Sequence, residues 1–159
     1  MPVGIFQPAD DNPASVPHDL DLWHGLAREF SEELLGAPED YAGLGSPVRY
    51  EQWPFFRRLT QARHTGGLRV WIVGLGVDPL TMMTDILTAA VFDAELFDEV
   101  FAGLVAVNSE GRVITNGAAI GFAFDESSVT RFAGGGEPMQ AAGAAVLRLA
   151  RKYSDLLLG

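Results

Sequence analysis

Residues 28–36, Arg-Glu-Phe-Ser-Glu-Glu-Leu-Leu-Gly, set three carboxylates beside an apolar helical stripe, and a fold has to accommodate both. At about 100° per residue, a helix carries Glu29, Glu32 and Glu33 within an arc of roughly 100°. Leu22, Leu26, Phe30 and Leu34 recur every four residues and form the adjoining stripe, with Glu33 over its margin. Such a stripe is buried against another element, whereas carboxylates at the rim of a core are costly as bare charges. Two arrangements answer that conflict. One is a solvated acidic helix end, steadied by an Arg28–Glu32 pair worth a few tenths of a kcal/mol. The other is a divalent cation that draws oxygen ligands from the cluster.

The 159 residues, 48% hydrophobic and 20% charged, are enough for one domain, 1–159, with a proper core. A net charge of −10 opposes direct nucleic-acid contact, which needs a basic footprint. An acidic chain holds a phosphate ligand only through metal ions or a local basic pocket. The absence of cysteine removes disulfides, thiolate zinc sites and cysteine nucleophiles, and fits a reducing cytoplasm. Residues 1–8 lack the basic start and apolar run of a signal peptide. The most apolar stretch, 86–92, is too short to span a bilayer. The chain reads as a soluble cytoplasmic protein without a membrane partner.

Along the chain, residues 1–7 are extended and 8–18 form a turn-rich surface loop. Asp19 or Asp21 caps the next helix, and Gly36 with Pro38 stops it. A mobile Gly- and Pro-rich loop spans 37–48. Residues 53–64 are helical, with Pro54 in the first turn, and 68–77 form a strand broken by Asp78-Pro79. Residues 86–92 suit a buried strand, although 82–90 has a helical alternative. Residues 93–105 form an amphipathic helix with Leu96, Phe97, Val100, Phe101 and Leu104 on one face. A turn at 108–111, a short extended piece at 113–114 and a strand at 120–124 follow. Asp125 caps a short helix to Phe132, glycines 134–136 make a flexible joint, and 138–158 is a long closing helix. The fold class is α/β or α+β: helices covering a mixed sheet. No internal repeat is visible.

Other constellations are weaker. Gly74-Leu75-Gly76 lacks the third glycine of a dinucleotide loop and reads as tight packing or a bulge. Arg57, Arg58, Arg63, His64 and Arg69 form a basic island that either grips phosphate or balances nearby acids. His18, His24 and His64 have no metal-ligand spacing, and no serine sits in a nucleophile elbow. Trp23, Trp53 and Trp71 suit a core or groove, with base stacking as the alternative.

Residues 28–36 also resemble the second half of the Nudix box, R-E-U-x-E-E-x-G-U, with Arg28, Glu29, Phe30, Glu32 and Glu33 in register. The resemblance implies a loop-helix-loop in which Glu29, Glu32 and Glu33 hold Mg²⁺ or Mn²⁺ against a diphosphate. It implies Glu32 and Glu33 as catalytic groups, and Arg28 as the partner of a neighbouring carboxylate. Arg57 and Arg58 are the candidate phosphate contacts. The box's first glycine falls on Ala14, its upstream glutamate on Leu20, and its last glycine one place before Gly36. Val3-Gly4-Ile5-Phe6-Gln7 is an alternative approach strand, separated from the helix by an insertion. Few residues precede the box, so N-terminal strands of such a fold are missing, and the open sheet edge implies a homodimer or an upstream domain.

The wider chain looks like the Nudix-like C-terminal half of actinobacterial helix-turn-helix regulators. The matching pieces are 4–8, 28–36, 75–81, 86–88 and 108–111. The expected function is hydrolysis of a nucleoside diphosphate linked to another group. The alternative is a non-catalytic module that senses a nucleotide-like ligand and associates with a DNA-binding domain.

Overall fold

A computed structural model describes residues 4–38, 41–104, 115–116 and 119–159. Two compact units make up the chain, one from Met1–Thr65 with Asp93–Val113, the other from Gly66–Phe92 with Ile114–Gly159.

In the first unit, a four-residue helix α1 (Val16–Asp19) leads into α2 (Leu22–Leu35). Asp21, not Asp19, is the N-cap of α2, and its carboxylate accepts the amides of Trp23 and His24. At the other end Gly36 takes φ 64°, the left-handed conformation that glycine adopts without Cβ strain. Its N–H donates to Glu32 O, the 5→1 bond of an αL cap, and the Ala37 N–H donates to Ser31 O. Two 3-10 turns, Ala42–Leu44 and Tyr50–Gln52, precede α3 (Pro54–Thr65), with Pro54 as its first residue. The fourth helix α4 (Ala94–Val100) ends well short of residue 105, because the chain turns at Phe101–Gly103.

The core of this unit is aromatic. Phe30 meets Phe101 edge-on at 6.1 Å, and Tyr50, Phe56 and Leu59 are buried around it. The face of α2 turned inward is not the leucine stripe. Leu22 is exposed and Leu26 and Leu34 are half-buried, while Ala27, Arg28, Phe30 and Ser31 are buried. Small residues at 27 and 31 admit close neighbours, and that rotates the buried face away from Leu22. At the end of the 37–48 loop, Val48 is buried and its carbonyl accepts from His18 Nε2.

In the second unit, β1 (Leu68–Val77) and β2 (Thr84–Phe92) pair antiparallel, with a bulge between Ile72 and Gly74. The 82–90 helical alternative is not adopted. β2 is only half-buried, with Leu87 as its one buried side chain, because a helix covers a single face of a two-stranded sheet. That helix is α6 (Ala141–Lys152), which lies against both strands and against α5 (Glu126–Ala133). Asp125 caps α5 through the Ser128 amide, as its position before the helix requires. The strand read at 120–124 contracts to a two-residue pairing of β3 (Thr115–Asn116) with β4 (Ala119–Ile120). The closing helix starts at Ala141 and breaks at Tyr153 before α7 (Ser154–Leu158).

The architecture is α+β. Both sheets among the described residues are two-stranded and antiparallel, where the sequence pattern leads to a mixed sheet. The six-residue link between β1 and β2 is too short for a parallel crossover, so a hairpin results. The turn read at 108–111 and the extended piece at 113–114 lie outside the described residues. Among the described residues, no helix is long and apolar enough to cross a membrane.

Candidate functional site

The first unit gathers its polar side chains around α2. Arg28, at the middle of the helix, is buried and reaches three groups. Its Nη1 donates to Tyr50 Oη at 2.7 Å and its Nη2 to Gln7 O at 2.5 Å. Nη1 also stands 3.9 Å from Asp19 Oδ2. Asp19 is fully buried. Its Oδ2 accepts the Ala9 amide at 2.9 Å, while Oδ1 has no hydrogen-bond partner. Asp19, the last residue of α1, thus offers Arg28 a carboxylate from outside the glutamate triad.

Tyr50 lies under this pair. Burial pushes its phenol up to about 12; the Arg28 guanidinium works against that shift and the Asp19 carboxylate with it. His24 stacks on the Tyr50 ring at 3.8 Å and 13°. Its Nδ1 donates to His18 O at 2.9 Å, and His18 Nε2 donates to Val48 O at 2.7 Å. Both histidines act as braces between loop carbonyls and the helix.

The three glutamates of α2 are half-buried, and Glu32 follows Arg28 by one helical turn. Glu32 Oε1 accepts the Tyr41 O–H at 2.5 Å. Burial and this bond to Glu32 both raise the Tyr41 phenol above its ordinary value. Glu29 lies against the N-terminal segment, where its carboxylate fills the space that a Cβ on Gly4 would take. Phe6 then sits over Gly25, so residues 4–7 run along α2 from Glu29 toward Gly25 and Arg28. Among the described residues, no three His, Cys, Asp or Glu side chains gather as a metal ion would need. As placed, the glutamates are a common margin rather than an assembled donor set.

Arg57 and Arg58 occupy the exposed face of α3, and Arg58 forms an ion pair with Glu99 of α4. Arg63 covers the Trp23 ring at 4.5 Å, and Trp23 Nε1 donates to Thr60 Oγ1 at 2.9 Å. Arg69 belongs to the second unit. The basic island is thus divided among several duties.

Asp19, Tyr41 and Tyr50 are the members that sequence reasoning missed. One signal was present: two acids, Asp19 and Asp21, precede a helix that needs a single cap, so one of them is surplus. Nothing in the sequence marks the tyrosines. No family model, curated protein or solved structure matches the chain.

Proposed function

We propose that this chain is a Nudix-like sensing module that binds a nucleotide-like small molecule without turning it over and works with a helix-turn-helix transcriptional regulator. The observation that carries this reading is the use made of the box residues. Arg28 is buried against Tyr50, Gln7 O and Asp19, and Glu32 accepts from Tyr41. These bonds brace the helix and leave fewer lone pairs for chemistry. The proposal includes a Nudix-like arrangement of sheet and helices as the finer fold, and a cytoplasmic setting. Thermal melting across a panel of nucleoside diphosphate derivatives tests it. A ligand that binds the folded form raises the melting temperature with its concentration, and no phosphate or nucleoside monophosphate is released. A panel with no shift, or with release, counts against it.

A second reading is Mg²⁺- or Mn²⁺-dependent hydrolysis of a nucleoside diphosphate linked to another group. Glu29, Glu32 and Glu33 would be ligands, Glu32 and Glu33 the catalytic groups, and Arg57 and Arg58 the phosphate contacts. It is favoured by the close approach of Gly4 to Glu29, which gives the helix a glycine segment of the kind the box implies. When bound, such an ion supplies charge neutralisation and an activated water. Metal-dependent release that disappears in Glu32→Gln and Glu33→Gln supports this reading over the first. Release that survives both substitutions sinks it.

A further inference from the structure

Residues 4–9 run along α2 as a strap, and one buried ion pair grips their backbone. Arg28 Nη2 donates to Gln7 O at 2.5 Å, and the Ala9 N–H donates to Asp19 Oδ2 at 2.9 Å. Pro8, between them, has no N–H to give. Phe6 adds its ring against Gly25 of α2. Among the described residues, no backbone–backbone hydrogen bond ties the strap to the rest of the chain. Ile5 stays 61% exposed and Phe6 45%, so the strap buries little apolar surface. It belongs with the segments that open locally at low cost.

The pair beneath it is more demanding. Asp19 is fully buried and Arg28 nearly so, yet Asp19 Oδ1 has no hydrogen-bond partner among the described residues. A buried carboxylate oxygen without a donor is costly. The oxygen nearer Arg28 is Oδ2, 3.9 Å from Nη1. Side by side, then, stand a donor fork, an acceptor that the strap satisfies and an acceptor that it does not.

We propose that Arg28 and Asp19 are a recognition site for a guanine base, with the strap as its internal stand-in. One edge of guanine carries O6, N1–H and N2–H, an acceptor followed by two donors. O6 accepts from Arg28 as Gln7 O does, N1–H donates to Oδ2 as the Ala9 amide does, and N2–H donates to Oδ1. The corresponding edges of adenine and cytosine set one donor beside one acceptor, and uracil sets one donor between two acceptors. Each of them leaves Oδ1 without a donor, as the strap does. Gly25 has no side chain, so withdrawal of Phe6 makes room beside α2 for a planar ring. Binding displaces the strap, which is a change a sensing module can report. The inference rests on the sensing reading above and names its ligand as a guanine nucleotide.

Titration calorimetry of the full chain with the 5′-diphosphates of guanosine, inosine, adenosine and uridine tests this. The guanosine compound should bind. The inosine compound, identical but for the missing N2 amino group, should bind about ten- to hundredfold more weakly. Hydrogen exchange at the Ala9 amide should quicken in the guanosine complex, because Asp19 has passed to the base. Phe6→Ser loosens the strap and should tighten guanosine diphosphate binding, since less of the chain is held closed. Adenosine or uridine diphosphate binding as well as the guanosine compound overturns the inference and leaves the sensing reading standing. Equal affinity for inosine and guanosine diphosphates does the same, as does an Ala9 amide that slows or keeps its rate. Weaker or unchanged binding in Phe6→Ser shows that the strap does not compete and overturns it too. If none of the four binds, the inference fails, and the wider melting panel decides the sensing reading separately.

Discussion

Asp19 and Arg28 stand 3.9 Å apart where almost no water reaches either, and Asp19 Oδ1 has no hydrogen-bond partner. Breaking a buried pair costs more than the pair itself contributes, because the remaining charge loses its compensation. Arg28→Met should therefore lose about 3–5 kcal/mol in urea denaturation. Asp19→Leu in the Arg28→Met background should recover part of that loss, since it removes the stranded carboxylate. If the double variant is as unstable as Arg28→Met, the guanidinium's bonds to Tyr50 and Gln7 O carry the stability instead.

Tyr41 and Glu32 form the other tight contact, at 2.5 Å. Tyr41→Phe removes the donor and leaves a half-buried carboxylate oxygen short of a partner, a loss of about 1–2 kcal/mol. Glu32→Gln retains an acceptor oxygen and should cost less. Denaturant midpoints of the two variants decide this, and equal losses would mean that the carboxylate charge matters more than the phenol. In the hydrolytic reading Tyr41→Phe has a further consequence: it releases Glu32 for an ion, so metal-dependent turnover would rise.

The two phenols give the protein an alkaline limit. Tyr50 is pushed up to about 12 and Tyr41 is raised as well, both first by burial. The folded chain therefore holds these protons more tightly than the unfolded chain, whose tyrosines titrate near 10. Their contribution is fully present below about pH 10 and is lost as pH rises toward 12, since the unfolded state then binds fewer protons. Stability measured upward from about pH 9 should be level and then fall. Tyr50→Phe, although less stable at neutral pH, should fall less steeply above pH 10. An equal slope in wild type and variant would place the alkaline loss elsewhere.

The parts of the fold that were legible in the sequence are those set by local chemistry. Asp21, Gly36, Pro54 and Asp125 bound their helices through groups within a few residues, and β1 has the bounds its apolar run gives. What depended on distant partners was hidden. The leucine spacing of α2 points to one buried face, yet Ala27 and Ser31 admit closer neighbours and Arg28 turns inward. That inversion depends on Tyr50, 22 residues away, and on the carbonyl of Gln7. The closing helix breaks at Tyr153 without proline or glycine at the break, so no local signal announces it. At the candidate site, the box register named Arg28 and the glutamates but not Tyr41, whose hydroxyl occupies Glu32.

Met82 links the stability of the hairpin to strain in its turn, where its N–H donates to Asp78 O. Its φ of 59° is strained for any residue with a Cβ, so Met82→Gly should relieve the turn. The flexible glycine returns part of that gain to the unfolded chain, which leaves a net stabilisation of about 0.5–1 kcal/mol. Thermal melting of the two proteins reads the change. An unchanged or lower melting temperature would mean that the bonds from Asp78 to the Leu80 and Thr81 amides, rather than the backbone angle at Met82, set the stability of the turn.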